Sequence, residues 1–268
     1  MSRFTIEAVA VDHAAGVEIT HHEHDSGQLS IVLRGTMMIM AEEGWWLAPP
    51  GLAVWVPSQV VHGARYSESS SLIHIRFSPV LAAPLPARCK PIVVSDLLRE
   101  LAREAVRLTS TDGKASTLDL VARLMVVQAR QPARGPGLFV PNGHDRRLQH
   151  AIDILCKDPG SNINLDELAL LAHTSSRTLA RLFHTETGMT FGRWREHLRI
   201  VCAVDRLSRG YSITQTALEL GYQSASSFTT LFTRLLGAPP RRYMQLMRER
   251  DGAAVEPQSP AKGCSPAA

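Results

Sequence analysis

Three histidines stand where they could share one metal ion. His22 and His24 are two residues apart and are followed by Gln28 and Gly35 as H-x-H-x3-Q-x6-G; Pro57 precedes His62 as P-x4-H. Side chains two apart on a strand face the same side, so His22 and His24 could be aimed at one point. Three imidazoles suit Zn, Ni, Cu or Fe. Gln28 is neutral and withholds the negative charge that helps to hold a dication. A divalent ion on His22, His24, Gln28 and His62 is one expectation, although no cofactor is certain. The other is an organic ligand hydrogen-bonded by the same imidazoles.

A second group of side chains could read DNA. Ser175 is placed to cap a short helix in which Leu179, Leu182 and Phe183 point inward, leaving Arg177, Thr178, Ala180, Arg181 and His184 outward, with Ser175 and Ser176 as further DNA-contact candidates at its start. A short, polar, Arg-bearing helix after a tight turn suits entry into a major groove, where guanidinium groups reach base edges. The segment belongs to a pattern written twice. LDELALLAHTSSRTLARLF begins at Leu165 and ITQTALELGYQSASSFTTLF at Ile213. Leu165 and Ala169 answer to Ile213 and Ala217 at an offset of 48; Leu179, Leu182 and Phe183 answer to Phe228, Leu231 and Phe232 at 49, with Gln223 extra in the turn. Apolar anchors kept while polar positions vary suggest one unit used twice. Its second outward face would carry Ser224, Ala225, Ser226, Ser227, Thr229 and Thr230.

These side chains need scaffolds of two kinds. Residues 1–94 break into short apolar runs such as LSIVL, TMMIMA, GWWLA and LAVWV, at spacings near ten residues, which predicts an antiparallel sandwich or barrel. Trp45, Trp55 and the Met37-Met38-Met40 run either line an effector pocket or fill the core. Residues 95–130 change to a helical period. SDLLRELAREAVRL stripes Leu97, Leu98, Leu101, Ala105 and Leu108, and STLDLVARLMVVQAR stripes Leu118, Val121, Leu124 and Met125, with Ser95 and Ser116 as candidate N-caps. Such helices pack on the barrel or form a two-fold dimer seam, and the dimer is favoured. Gly and Pro concentrate in residues 131–144, which read as a linker. Residues 145–250 form an all-α domain. Thr190 and Gly210 bracket a long connecting helix of about 27 Å, at ~1.5 Å per residue, between the two repeated units. Its Arg199, Arg206 and Arg209 are either phosphate clamps or solvated charges. Residues 251–268, small and Pro-rich, read as a disordered tail.

Charge separates the halves. Residues 1–90 carry 6 Lys and Arg against 8 Asp and Glu, net −2, whereas residues 145–250 carry 15 against 10, net +5. A basic C-terminal half fits a polyanionic partner. Cys89, Cys156, Cys202 and Cys264 lack CxxC spacing and read as free thiols, and no apolar run approaches the ~18 residues of a membrane span. The chain is expected to be cytoplasmic, with no membrane partner.

The histidine pattern resembles the two motifs of the cupin superfamily, whose double-stranded β-helix holds a metal on three His and a Glu. Gln28 stands where that Glu would be, and Gln59 where the second motif has Gly. GYQSASSFTTLFTRLLGAPPRRYM is similar to the C-terminal signature of AraC/XylS-family transcription regulators, and TETGMTFGRWREHLRI to the entry of that family's linker helix. The resemblance spans nearly the whole chain and is greatest to cupin-linked members that regulate neighbouring efflux or drug-resistance genes. It implies an α+β protein of two domains, a cupin-like barrel followed by helices and then an all-α domain with two helix-turn-helix units. It also implies promoter DNA and RNA polymerase as partners, a homodimer, usually activation, and a small-molecule or metal effector in the barrel. The alternative is a metal-dependent cupin enzyme with an appended helical domain. Thr230 departs from the basic residue common at its position, and His173 stands where Gly is usual at the turn.

Overall fold

The structure is a computed structural model, described over residues 6–111, 115–131 and 138–251. The proposed tail from residue 252 onward, most of the Thr111-Asp112-Gly113 break and part of the 131–144 segment lie outside the described residues.

Two five-stranded antiparallel sheets make the N-terminal half. The first runs β1 (Ile6–His13), β8 (Ser70–Phe77), β3 (Gly27–Arg34), β6 (Leu52–Val56) and β9 (Lys90–Val93). The second runs β10 (Phe139–Pro141), β5 (Gly44–Ala48), β4 (Met37–Ala41), β7 (His62–Arg65) and β2 (Glu18–His22). A short helix, α1 (Pro79–Ala82), precedes β9. The central strands of the first sheet, β3 and β6, are buried over most of their length because elements pack on both of their faces. Val32, Val54, Val56 and Leu72 join the core that includes residues of the second sheet; Leu29, Ile31, Ala53, Ile73 and Ile75 meet helices α2 (Asp96–Ser110) and α3 (Ala115–Ala129).

Ser95 caps α2, accepting the Leu98 N–H. Ser116 lies inside α3, which is already helical at Ala115, and so is not at its N-cap position. Leu98, Ala102, Ala105 and Leu108 are buried with Leu118, Val121, Ala122 and Met125. Leu97 and Leu124, assigned by period to the same stripes, point outward and remain half exposed.

The C-terminal half contains α4 (Arg146–Lys157), α5 (Leu165–Leu171), α6 (Ser176–Thr187), α7 (Phe191–Ser208), α8 (Ile213–Glu219), α9 (Ala225–Leu236) and α10 (Pro240–Asp251). Side-chain caps set most starts. Asn164 and Glu167 make a complete capping box on α5. Thr190, Ser212 and Ser224 each accept the N–H three residues on. At Ser212 only the serine's half of such a box is present, and the Gln215 side chain donates from Nε2 to Glu219. Each cap contributes about 1 kcal/mol. Gly188 and Gly237 end α6 and α9 in the left-handed conformation.

The linker contains a strand. β10 pairs with β5, and Leu138 and Val140 are buried in the same core as Leu148, Trp194 and Leu198 of the helical half. Trp194 Nε1 donates to the Pro141 carbonyl at 2.9 Å. The two halves therefore share one apolar core across the segment read as a boundary.

Candidate functional site

His22 ends β2 and His62 begins β7, and the two face each other across that strand pair, with ring centroids 4.4 Å apart. His24 lies beyond the end of β2, so loop geometry and not strand alternation brings it in. Its carbonyl accepts the Gln59 N–H at 2.9 Å, which ties the loop to the turn before β7. One ring nitrogen from each of the three histidines lies within 4.8 Å of the others.

The tautomers favour a cation. His22 Nδ1 is 3.0 Å from the Thr20 carbonyl and His62 Nδ1 is 2.9 Å from that of Val60. A carbonyl only accepts, so both rings hold their proton on Nδ1 and leave an Nε2 lone pair free. Backbone carbonyls orient metal-ligating histidines in this way. Both ring nitrogens of His24 are buried without a hydrogen-bond partner. Burial, reinforced by the neighbouring imidazoles, pushes the His62 pKa down to about 4, and burial lowers that of His24. Both rings are thus neutral at pH 7, the form that ligates.

Gln28 is not part of this triad's hydrogen bonding. On β3, its Nε2 donates to Ser30 Oγ at 3.1 Å and lies 3.4 Å from His74 Nδ1. Ser30 Oγ is 2.8 Å from the same His74 nitrogen. With Gln28 donating to Ser30, the Ser30 hydroxyl is free to donate to His74 Nδ1, which leaves the His74 proton on Nε2. Gln28 and His74 line a cavity of about 280 Å³ with His22, His62, His13 and Tyr66, aliphatic neighbours, and the charged Glu7 and Arg76. His13 stacks on Tyr66 at 4.0 Å. His13, Tyr66 and His74 were not singled out by the sequence. The alternation of HIRF puts His74 with Arg76 on the face opposite Ile75 and Phe77, and nothing local says that this polar face closes with β1 and β7 around one cavity.

Neither tryptophan named for the pocket lines it. Trp55 is buried beneath the helices, its Nε1 donating to the Pro86 carbonyl at 2.8 Å, and Gly27 leaves room for its ring. Trp45 instead borders a second cavity of about 660 Å³ between the barrel and α4 and α7, with Met38, Arg65, Cys202 and Arg206. Cys89, Cys156 and Cys202 are free thiols, respectively buried, exposed and half-buried.

On the helical half, Arg177 and Arg181 project from α6 into solvent, and neither pairs with another side chain among the described residues. Ser175 accepts from Thr178 N–H as the cap, and Ser176 donates to Asp166 of α5. Thr178 and Ala180 are half-buried. On α9, Ser226 and Ser227 are exposed, while Ala225 and Thr229 are half-buried. The Ser227 and Thr230 hydroxyls donate back to the carbonyls of Ser224 and Ser226, so α9 presents fewer free donors than α6. The three linker-helix arginines differ in their surroundings. Arg199 is buried, Arg206 pairs with Glu219, and Arg209 lies 3.6 Å from Asp205.

Comparison with known proteins agrees with both halves. Residues 7–127 match the model of an AraC-like ligand binding domain, and residues 168–246 that of a helix-turn-helix domain. The HTH-type transcriptional regulator NimR of Escherichia coli (strain K12) is 31% identical over 250 residues, 92% of this chain and 89% of that protein. The HTH-type transcriptional activator RhaR of Yersinia pestis bv. Antiqua (strain Angola) is 24% identical over 161 residues, 59% of this chain and 53% of its own. Among solved structures, ToxT from Vibrio cholerae O395 aligns with a TM-score of 0.40 at 12% identity, covering 91% of this chain and 98% of that one.

Proposed function

The chain belongs to the AraC/XylS family of transcription regulators, and from that premise we propose that a divalent metal ion on His22, His24 and His62 forms part of the effector site that controls DNA reading by α6 and α9. Regulation by a small-molecule ligand is the family's function, and an enzymatic role is not favoured. The observation that carries the metal reading is the convergence of three imidazoles, two with Nδ1 at a carbonyl and one with both nitrogens buried and unpartnered. An ion there would supply open coordination positions for an electron-rich effector, and the Gln28–Ser30–His74 chain would orient that effector from the facing wall.

The sheet offers a route to the DNA. His22 and His62 lie on β2 and β7, and the far edge of the same sheet is β10, which holds Trp194 of α7. A ligand that prefers one arrangement of β2 and β7 would shift the balance between arrangements of the barrel against α7. On DNA, α6 would contribute base contacts through Arg177 and Arg181, and α9 would mainly fix position on phosphate through Ser224, Ala225, Ser226, Ser227, Thr229 and Thr230. The exposed Leu120, Leu124 and Val127 of α3 fit pairing with a second copy. A cytoplasmic homodimer that activates transcription with RNA polymerase completes the reading, and the relative RhaR, a transcriptional activator, supports activation. No helix among the described residues is long and apolar enough to cross a membrane.

The test is affinity for a duplex selected in vitro by the full chain, measured with and without Zn(II). The reading expects a metal-dependent change that His22→Ala and His24→Ala abolish; a change that survives both substitutions contradicts it.

A further inference from the structure

We infer that Arg199 is a positioning residue that fixes the separation of the two recognition helices, and with it the half-site spacing that the protein accepts on DNA. The inference rests on the DNA-reading role of α6 and α9.

Arg199 lies midway along α7, the helix that joins the two units, and is only 8% exposed. Its Nε donates to the Pro159 carbonyl at 2.8 Å, and its Nη2 to those of Ser161 at 2.8 Å and Gly160 at 3.2 Å. The guanidinium thus grips the loop that leads into α5 and the first unit. On its other side it meets the second unit, with its central carbon 5.6 Å from the Tyr222 ring centroid. Arg206, seven residues on, pairs with Glu219 at the end of α8.

The two units also touch directly at this point. A Cβ on Gly160 would lie 2.2 Å from the Glu219 carbonyl oxygen, and one on Gly221 would lie 2.3 Å from the Gly160 carbonyl oxygen and 2.8 Å from Arg199 Nη2. The first unit's entry loop and the second unit's turn therefore meet backbone to backbone, with Arg199 hydrogen-bonded to the loop and set against Tyr222 of the turn. A planar guanidinium can satisfy several carbonyls at once, which a lysine ammonium cannot match in geometry. The basic side chain does its work inside the domain, and its contribution to DNA is the angle and distance between α6 and α9.

Half-sites read by two helices of one protein must match the separation of those helices, about one helical turn of DNA. The test uses the full chain and a duplex enriched from a randomised pool by the wild type, together with versions carrying one base pair more or less between the half-sites. Wild type is expected to lose about tenfold on either change. Arg199→Ala is expected to lose less than about threefold, with Arg199→Lys between them and helix content by circular dichroism retained. If Arg199→Ala does not fold, Gly160→Ala, which wedges the same junction open, carries the same expectation. A variant that keeps the wild-type spacing penalty, or falls equally on all three duplexes, overturns the inference. Enrichment of a single half-site overturns it while leaving DNA binding intact; no enrichment overturns the DNA-reading role itself.

Discussion

His173 and Gly221 occupy the same place in the two repeated units, 48 residues apart, and both have left-handed backbones, with φ 52° and 77°. The turn between the helices of each unit demands this conformation, which glycine adopts without the Cβ penalty. Gln59, which stands where the second cupin motif has Gly, is the other non-glycine with positive φ among the described residues, at 62°.

His173→Gly should therefore stabilise the protein. The gain should be about 0.5–1 kcal/mol, since relief of the left-handed strain outweighs the extra freedom of glycine in the unfolded chain. Urea denaturation would show a higher midpoint with an unchanged slope. An unchanged or lower midpoint would mean that the stacking of His173 on His150, 6.3 Å between centroids, is worth as much as the strain.

Both turns were legible because a helix-turn-helix is built from local signals: caps, an i, i+3, i+4 apolar face, and a turn with a fixed backbone requirement. The barrel was legible as strands but not as a site. His13, Tyr66 and His74 reach the cavity only because distant strands close around it, and no local period encodes that closure. β10 was hidden because three residues among Pro and Gly have no alternation to display. Trp55 misled because a strand covered on both faces does not say which face meets the ligand. Arg199 read as a phosphate clamp or a solvated helix charge, because its partners are backbone carbonyls, which carry no residue signature.

The proposed metal on His22, His24 and His62 predicts one equivalent of Zn(II) per chain by elemental analysis after loading and desalting. His62→Ala and the double variant His22→Ala/His24→Ala should each bind substoichiometrically. Loaded at 100 times Kd, the wild type should gain about 2.7 kcal/mol of stability, and the variants little. Full occupancy in the double variant would place the metal elsewhere.

His74 predicts an acid-sensitive barrel. Burial first, then the charges of His13 and Arg76, push its pKa down to about 4 from an ordinary 6.5. Between those values the unfolded chain binds a proton that the folded chain does not, so stability is complete above pH 6.5 and falls as the pH drops toward 4. At pH 5 the loss from this group should be about 1–2 kcal/mol. His74→Gln should flatten the stability profile over that window relative to wild type. An unchanged slope would assign the acid sensitivity to other groups.

The outer face of α3 predicts a concentration-dependent dimer. Leu120, Leu124 and Val127 are 64%, 49% and 57% exposed, whereas the inner face of the same helix is buried against the barrel. Leu120→Glu/Leu124→Glu should shift sedimentation from dimer to monomer while leaving the melting temperature of the monomer within a few degrees, because the substituted side chains support no core. A dimer that persists in the variant would assign the interface to another surface.

The central claim is that the two units are unequal readers, with sequence read by the Arg-bearing α6 and the hydroxyl-bearing α9 serving chiefly to position. Fluorescence anisotropy with a selected duplex and a scrambled one tests it most directly. Arg181→Ala should cost about 1–3 kcal/mol on the selected duplex and much less on the scrambled one. Equal loss on both duplexes would contradict base reading by Arg181 and the inequality of the two units with it.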